Sequence, residues 1–329
     1  MTPLFLPAEI LHAIADATNP TSADFLASTI RAELSSAHAR GDFEPTRRIL
    51  ERLDPFFREH PDSRTLLERL ADDGDAPFLE FALSFPAFHA AALDARHDGL
   101  LALCAQADAG ADAMRVLLPL FPAPRIDARL QWSRLSTLER QKPTPLMLLA
   151  MQSEPDPVLM AELLAAGADP NAVDAEGHDA LMHLAKNDEG ETNRRKCLDL
   201  LLPVSDPKRR SQKGGTAFLD AANYGNLMLV RRLFPVSEPL ATLANGHNAL
   251  HLAQQNQEWA VIDFLAEWFP REQMNAIFIA AGGQKSLPKW AARLEAEAIA
   301  GVIQTPRNSK SADAKGDAAS GLPRQALKL

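Results

Sequence analysis

The sequence predicts an all-α protein built as an α-solenoid. Hydrophobic residues make up 46% of the chain and aromatic residues only 6%, and the abundant Ala and Leu are good helix formers. At 329 residues the chain is long for one globular core, so two domains or an elongated array are expected. A two-helix unit that recurs along the chain favours the array.

The clearest copy of this unit spans residues 216–234. Its first helix places Phe218, Ala221 and Ala222 on one face, and its second helix carries an apolar stripe at helical spacing. Gly225 lies between the two helices, where a glycine can take the left-handed conformation that ends a helix. Because the unit has an apolar face that it cannot bury alone, we expect it to pack against neighbouring copies.

Seven large apolar residues mark the first helices of successive units. Their spacings are 33, 33, 46, 35, 37 and 32 residues. In chain order these anchors are Leu34, Leu67, Leu100, Leu146, Leu181, Phe218 and Leu250. A spacing near 33 residues, with other features in phase, indicates a repeat array.

The segment 144–171 resembles an ankyrin repeat most closely. It opens with Thr-Pro-Leu-Met-Leu-Leu-Ala at residues 144–150 and ends with Leu-Leu-Ala-Ala-Gly-Ala-Asp-Pro-Asn at residues 163–171. These stretches are similar to the Thr-Pro-Leu-His-x-Ala opening and the Leu-Leu-x-x-Gly-Ala-Asp-x-Asn exit of that family. The resemblance implies about seven ankyrin repeats forming a protein-binding scaffold without catalytic activity. It also implies a structural role for His251, which matches the family's first-helix histidine.

Four segments follow from this pattern. We expect a helical N-terminal cap over residues 1–29, the repeat array over 30–268, a helical C-terminal cap over 269–303 and a disordered tail over 304–329. Within the array, a hairpin-like turn is expected at residues 174–177. Residues 119–142 and 187–195 are interpreted as insertions.

Composition and charge disfavour several classes of partner and of structural site. The formal charge of −9 disfavours non-specific binding to nucleic acid or to an anionic membrane. Two cysteines far apart in sequence predict neither a disulfide framework nor a zinc site. The N-terminus resembles no secretory signal, so a cytoplasmic location is expected, with translocation by a specialised secretion system left open. The chain is also expected to be a monomer. Arg outnumbers Lys and Ala is frequent, which indicates a GC-rich bacterial coding sequence.

The predicted partner-binding residues directly follow the first helices, on the inner face that ankyrin arrays use for binding. Tyr224, the single tyrosine, is the expected anchor, because tyrosine offers a large contact area and one polar group. The other members of this predicted set are Gln152, Lys186, Asn223, Gln255 and Asn256.

Three further features join the predicted partner site. Arg210 and Lys213 belong to a basic run that could meet an acidic partner, although most charge runs are solvated faces. Trp132 lies in the longer insertion, where it is expected either to be an exposed contact for a partner or to cover the third repeat. His178 and His247 recur, with His97, three residues before an anchor. We interpret these histidines as solvated positions rather than as a metal or pH-sensitive row, because no carboxylate or cysteine recurs at matching spacing in adjacent repeats.

Three functional hypotheses follow from the sequence. The first is an adaptor that holds a protein partner on the inner face. The second is a secreted effector or immunity-like inhibitor that blocks a target enzyme through residues 119–142. The third is an enzyme that uses the histidine row or the Gly-Gly-Gln-Lys-Ser stretch at 282–286, which lacks the full phosphate-loop pattern. We expect no catalytic activity, no cofactor and no metal.

Overall fold

The computed structural model describes residues 41, 44–51, 53–56, 64–107, 110–129, 142–187 and 191–268. Its helices in these ranges are α1 (Glu44–Leu50), α2 (Leu66–Asp73), α3 (Ala76–Leu83), α4 (Pro86–Ala92), α5 (Leu100–Gln106), α6 (Gly110–Leu117), α7 (Ala123–Ile126), α8 (Pro145–Met151), α9 (Pro157–Ala165), α10 (Ala180–Ala185), α11 (Glu191–Leu201), α12 (Ala217–Asn223), α13 (Leu227–Leu233), α14 (Ala249–Gln255) and α15 (Trp259–Leu265). Short 3-10 turns cover Ala95–His97 and Leu118–Leu120.

The described part of the chain is all-α, as predicted. It contains no β-strand, and a single isolated bridge pairs Thr242 with Asn248. None of its helices is both long enough and apolar enough to cross a membrane. The anchor Leu34, both predicted caps and the predicted tail lie outside the described residues, as does the whole of the second compact unit, Gly283–Leu329.

The helices of the first compact unit form two rows. In the first row α2, α5, α8, α10, α12 and α14 each contact the next helix in this order. In the second row α3 contacts α6, and α9, α11, α13 and α15 contact one another in succession. Each first-row helix also contacts the second-row helix that follows it, as α12 does α13. The apolar core therefore lies between the two rows.

The six anchors within the described residues occupy this core. Leu67, Leu100, Leu146, Leu181, Phe218 and Leu250 are all fully buried. Buried N-cap side chains begin five of the six first-row helices, and each accepts a hydrogen bond from a backbone N–H of the first turn: Thr65, Thr144, Asp179, Thr216 and Asn248. Such a cap stabilises a helix by about 1 kcal/mol, which matters for helices only two turns long.

Gly225 ends α12 in the left-handed region, as the sequence predicts. Its φ is 74°, and the next residue, Asn226, donates its backbone N–H to the carbonyl of Ala221 at 2.9 Å. A Cβ added at Gly225 would lie 2.1 Å from Oε2 of Glu258. Two independent features therefore disfavour a side chain at this position.

We expect Gly225→Ala to lower the free energy of unfolding by about 1 to 2 kcal/mol in urea titrations, because it adds left-handed strain and displaces Glu258. Gly246→Ala is the matched control, since Gly246 has φ 83° but a Cβ added there would meet no atom of the described residues within 4 Å. Equal losses in the two variants would show that the contact with Glu258 costs nothing.

Similar turns connect successive helix pairs. Asp174, Ser211 and Leu243 each donate a backbone N–H to the carbonyl four residues ahead, at 2.9, 2.8 and 2.8 Å. Neighbouring turns are also joined, because Gln212 N–H donates to the Glu176 carbonyl and Ala244 N–H donates to the Lys213 carbonyl, both at 3.0 Å. The turn predicted at 174–177 is thus confirmed, and it recurs in the two following units.

The interpretation of residues 187–195 as a polar insertion is wrong for residues 191–195, which form the start of α11. The buried face of α11 consists of Arg194, Cys197, Leu198 and Leu201, at helical spacing. An arginine thus occupies a position where an apolar residue is expected, and this substitution hid the helical pattern in the sequence.

The first part of the 119–142 insertion is bound to the helix rows. Arg125 donates to Asp98 Oδ1 and to the Leu93 carbonyl, both at 2.6 Å, and Ile126 is fully buried. Arg129 donates to the Val173 carbonyl at 2.5 Å. Residues 119–129 therefore belong to the packed array, and Trp132 lies outside the described residues.

Candidate functional site

The residues at the C-terminal ends of four first-row helices form a polar series, here called the loop row: Gln152, Lys186, Asn223, Tyr224, Gln255 and Asn256. Asn223 and Gln255 are the last residues of α12 and α14, and the other four directly follow their helices. All six were predicted from the sequence. Tyr224 is 45% exposed at the end of α12 and is the one large aromatic side chain of this row. Gln255 and Asn256 are exposed, whereas Gln152, Lys186 and Asn223 are half-buried.

Some amides of the loop row connect neighbouring units. Gln152 Nε2 donates to the Ala105 carbonyl at 2.9 Å. Asn256 Nδ2 donates to both the carbonyl and the side-chain oxygen of Asn223, at 2.8 and 2.9 Å. These hydrogen bonds give Gln152, Asn223 and Asn256 a structural role within the chain. Among the described residues, the side chains of Tyr224, Gln255 and Lys186 form no such hydrogen bond between units.

Two further links, neither of them predicted from the sequence, lie behind the loop row. Arg194 is fully buried and donates to the carbonyls of Leu184, Gln152 and Ser153, at 2.8, 2.9 and 3.1 Å. Asn226 Nδ2 donates to the Asn187 carbonyl at 2.7 Å. Both side chains hold the backbone of the loop row from inside, and a buried position for an arginine gave no signal in the sequence.

The three histidines predicted as one solvated set lie in different surroundings. His97 is buried, and its ring forms 2.9 Å hydrogen bonds with Thr65 Oγ1 and the Ala91 carbonyl, so the solvated interpretation is wrong for this residue. His247 stacks on His251, with ring centroids 5.6 Å apart. Burial, followed by the neighbouring His247, lowers the pKa of His251.

His178 belongs to a cluster of ionisable side chains, here called the finger cluster. Its members Asp174, Asp179 and His183 are buried, and its members His178, Arg209 and Asp220 are half-buried. Asp174 Oδ2 accepts a hydrogen bond from His183 Nε2 at 2.9 Å and lies 3.6 Å from His178 Nδ1. Asp174 Oδ1 accepts the backbone N–H groups of Glu176 and His178, both at 2.8 Å. The comparison of matching positions in adjacent repeats could not reveal this carboxylate, because Asp174 lies in the same turn as His178.

Two carboxyl groups of the cluster have pKa values raised well above the ordinary value for aspartate. Burial raises the pKa of Asp179 and of Asp220 to about 6 in each case. Asp179 Oδ2 and Asp220 Oδ2 have no hydrogen-bond partner among the described residues, and Arg209 Nε lies 3.7 Å from Asp179. Lys186 and His178 oppose the shift at Asp220, while Asp179 adds to it.

The pKa values of both Asp174 and His183 are lowered in the folded chain. Burial raises the pKa of Asp174, but the two imidazoles and the two backbone N–H groups lower it by a larger amount. The net pKa therefore lies well below its usual range. Burial lowers the pKa of His183, and Asp174 only partly offsets that effect. At neutral pH the pair therefore consists of a carboxylate and a neutral imidazole.

The predicted basic run is largely paired within the chain. Arg210 forms an ion pair with Glu238 at 2.9 Å and donates to the Thr242 carbonyl at 3.3 Å. Arg209 turns toward Asp179, as described above. Lys208 and Lys213 are exposed. The structure thus separates the run into two engaged arginines and two exposed lysines.

A cleft of about 530 Å³ opens between the first turns of α11 and α13. Its lining includes Glu191, Arg195, Gly225, Met228 and Arg231. Gly225, which follows Tyr224 in the chain, is part of this lining.

These features define an all-α protein of stacked helix pairs with a polar loop row and a partly buried cluster of ionisable side chains. No protein-family model matches the chain, and no curated protein matches it either.

Proposed function

We propose that the chain is a non-catalytic binding scaffold, an α-solenoid of about seven ankyrin-like repeats that holds a protein partner on the loop row. The observation that carries the proposal is the exposed Tyr224 within a row of polar residues that four successive helix pairs contribute. Aromatic side chains such as tyrosine are enriched near the centres of protein interfaces, and polar residues form the rim around them.

The repeated architecture supports the proposal. Six anchors 32 to 46 residues apart lie in consecutively packed first-row helices. The capped helix starts and the turn-to-turn hydrogen bonds also recur. Such arrays expose one continuous face to a partner while each unit contacts only its neighbours.

We expect Tyr224→Ala to weaken binding of the partner by about tenfold to thirtyfold, because it removes the central aromatic contact. The partner would be captured from the source lysate and identified by mass spectrometry, and its affinity would then be measured with purified components. Tyr224→Phe is the matched control and should retain most of the affinity if the ring, rather than the hydroxyl, carries the contact.

Gln255→Ala is the second probe of this face, since Gln255 is exposed and lies outside the Asn223 to Asn256 link. Asn256→Ala is a poorer probe, because it also breaks that link. Unchanged affinity in both Tyr224→Ala and Gln255→Ala, with unchanged helical content, would remove the loop row from the proposed interface.

The inhibitor hypothesis stays a prediction, because residues 130–141 lie outside the described residues. Deletion of residues 130–141 tests it, since an inhibitor of this kind should lose its effect on the target enzyme. The predicted cytoplasmic location, monomeric state and lack of nucleic-acid partners are likewise parts of the proposal.

A further inference from the structure

We propose that Asp174, His178 and His183 form a binding site for a divalent transition-metal cation, with zinc as the best fit. The inference is independent of the proposed scaffold function. Two imidazoles and one carboxylate are a ligand set suited to zinc and to neighbouring metals such as cobalt.

The positions of the ligand atoms fit one shared ion. Asp174 Oδ2 lies 2.9 Å from His183 Nε2 and 3.6 Å from His178 Nδ1. Two ligands of one tetrahedral zinc ion, each bound at about 2.0 to 2.1 Å, lie about 3.3 Å apart. The two observed separations bracket that value. One potential ligand atom from each of the three residues lies within 4.8 Å of the others, so closing the set needs the most distant pair to approach by at most about 1.5 Å.

His178 and His183 each have a buried Nδ1 without a hydrogen-bond partner among the described residues. Only the Nδ1 of His178 is the candidate ligand atom, and two carboxylates face it. Asp174 Oδ2 is 3.6 Å away and Glu176 Oε2 is 3.7 Å away, and both distances exceed a normal hydrogen bond. A buried polar atom without a partner costs about 1 to 3 kcal/mol, and a cation between the imidazole and Asp174 would remove that cost.

The surroundings hold two of the ligands in place before an ion binds. Asp174 is fully buried, and its Oδ1 is held by two backbone N–H groups, which leaves Oδ2 directed at the histidines. His183 is 2% exposed in α10. When it coordinates through Nε2, its proton moves to Nδ1. Glu176, on the exposed side, or a water molecule can supply the fourth ligand.

The equivalent turns show that these side chains are not needed to form the turn. Ser211 and Leu243 close the next two turns with the same backbone hydrogen bond that Asp174 makes. The positions that correspond to His178 and His183 are Gly215 and Asp220 in one turn, and His247 and Leu252 in the other. The complete ligand set therefore occurs in one of three turns with the same backbone closure.

The test uses the full chain without a histidine tag, stripped with a chelator and titrated calorimetrically with Zn²⁺. We expect one equivalent to bind, and Co²⁺ to give the visible absorption of a tetrahedral site. X-ray absorption at the zinc edge should show nitrogen and oxygen neighbours with imidazole scattering and no sulfur.

Variants then assign the ligands. Asp174→Asn keeps the acceptor for the two backbone N–H groups while removing the carboxylate, and His178→Ala removes a partly exposed ring. Each should weaken Zn²⁺ binding by about tenfold or more. His247→Ala, at the equivalent turn position, should bind as the unaltered chain does. Absence of stoichiometric binding, sulfur coordination, or a loss confined to His247→Ala would overturn the proposal, and circular dichroism establishes that each variant is folded.

Discussion

Arg194→Leu is expected to lower the free energy of unfolding by about 1 to 3 kcal/mol, because three backbone carbonyls lose a charged donor at once. The guanidinium of Arg194 is fully buried and donates to Leu184, Gln152 and Ser153. Leucine fills part of the same volume, so the loss reports the hydrogen bonds more than a cavity. Urea unfolding followed by far-UV circular dichroism measures the effect.

Arg195→Leu is the matched control for this substitution. Arg195 is the next residue of α11 and is exposed, so the same change there should alter stability by no more than about 0.5 kcal/mol. Arg194→Lys distinguishes charge from geometry, because an ammonium group cannot reach three carbonyls as a planar guanidinium does. If Arg194→Leu were as stable as Arg195→Leu, the buried hydrogen bonds would have no net effect on folding.

Asp220→Asn is expected to raise the free energy of unfolding by about 1 to 3 kcal/mol near pH 8, and to leave it unchanged near pH 4. Burial raises the pKa of Asp220 from 3.8 to about 6, so the folded state binds this proton more tightly than the unfolded state. The stability of the unaltered chain therefore falls as pH rises from about 4 to about 6, and above that range the full cost of burying the charge is present. Asparagine removes that cost but still leaves a polar group without a partner.

Urea titrations at both pH values, in buffer with a chelator, measure this difference. Asp206→Asn is the control, because Asp206 is exposed and accepts the Lys208 N–H through an oxygen that asparagine retains. A stability change at Asp220→Asn that is equal at both pH values would contradict a raised pKa in the folded state.

The periodic part of the fold was accessible from the sequence, and the polar interior was not. The anchors, the helix end at Gly225 and the turn at residues 174–177 follow from local rules on helical spacing and backbone conformation. The burial of Arg194 does not follow from those rules, because its partners are carbonyls of distant residues that no side-chain pattern encodes. The contact between Asp174 and His183 joins a turn to the following helix, so it is invisible when only equivalent positions in adjacent repeats are compared.

In the candidate partner site, too, exposure was predictable from the sequence and the contacts between units were not. Exposure of Tyr224 follows from its place after a helix in a repeat, and the structure agrees. The ion pair between Arg210 and Glu238, which are 28 residues apart, depends on how successive turns lie beside each other. A sequence pattern gives the position of each charge in its own turn but not which neighbouring charge it meets.

The hydrogen bonds between successive turns also govern how the array opens. The bonds from Gln212 to Glu176 and from Ala244 to Lys213 join only adjacent units. Opening one unit therefore breaks bonds at two boundaries within the array, but at one boundary where the array ends. Amide protons of the central first-row helices should therefore exchange with solvent only in large cooperative openings. The hydrogen bonds of Arg194 extend such an opening across the two units that contain Gln152 and Leu184.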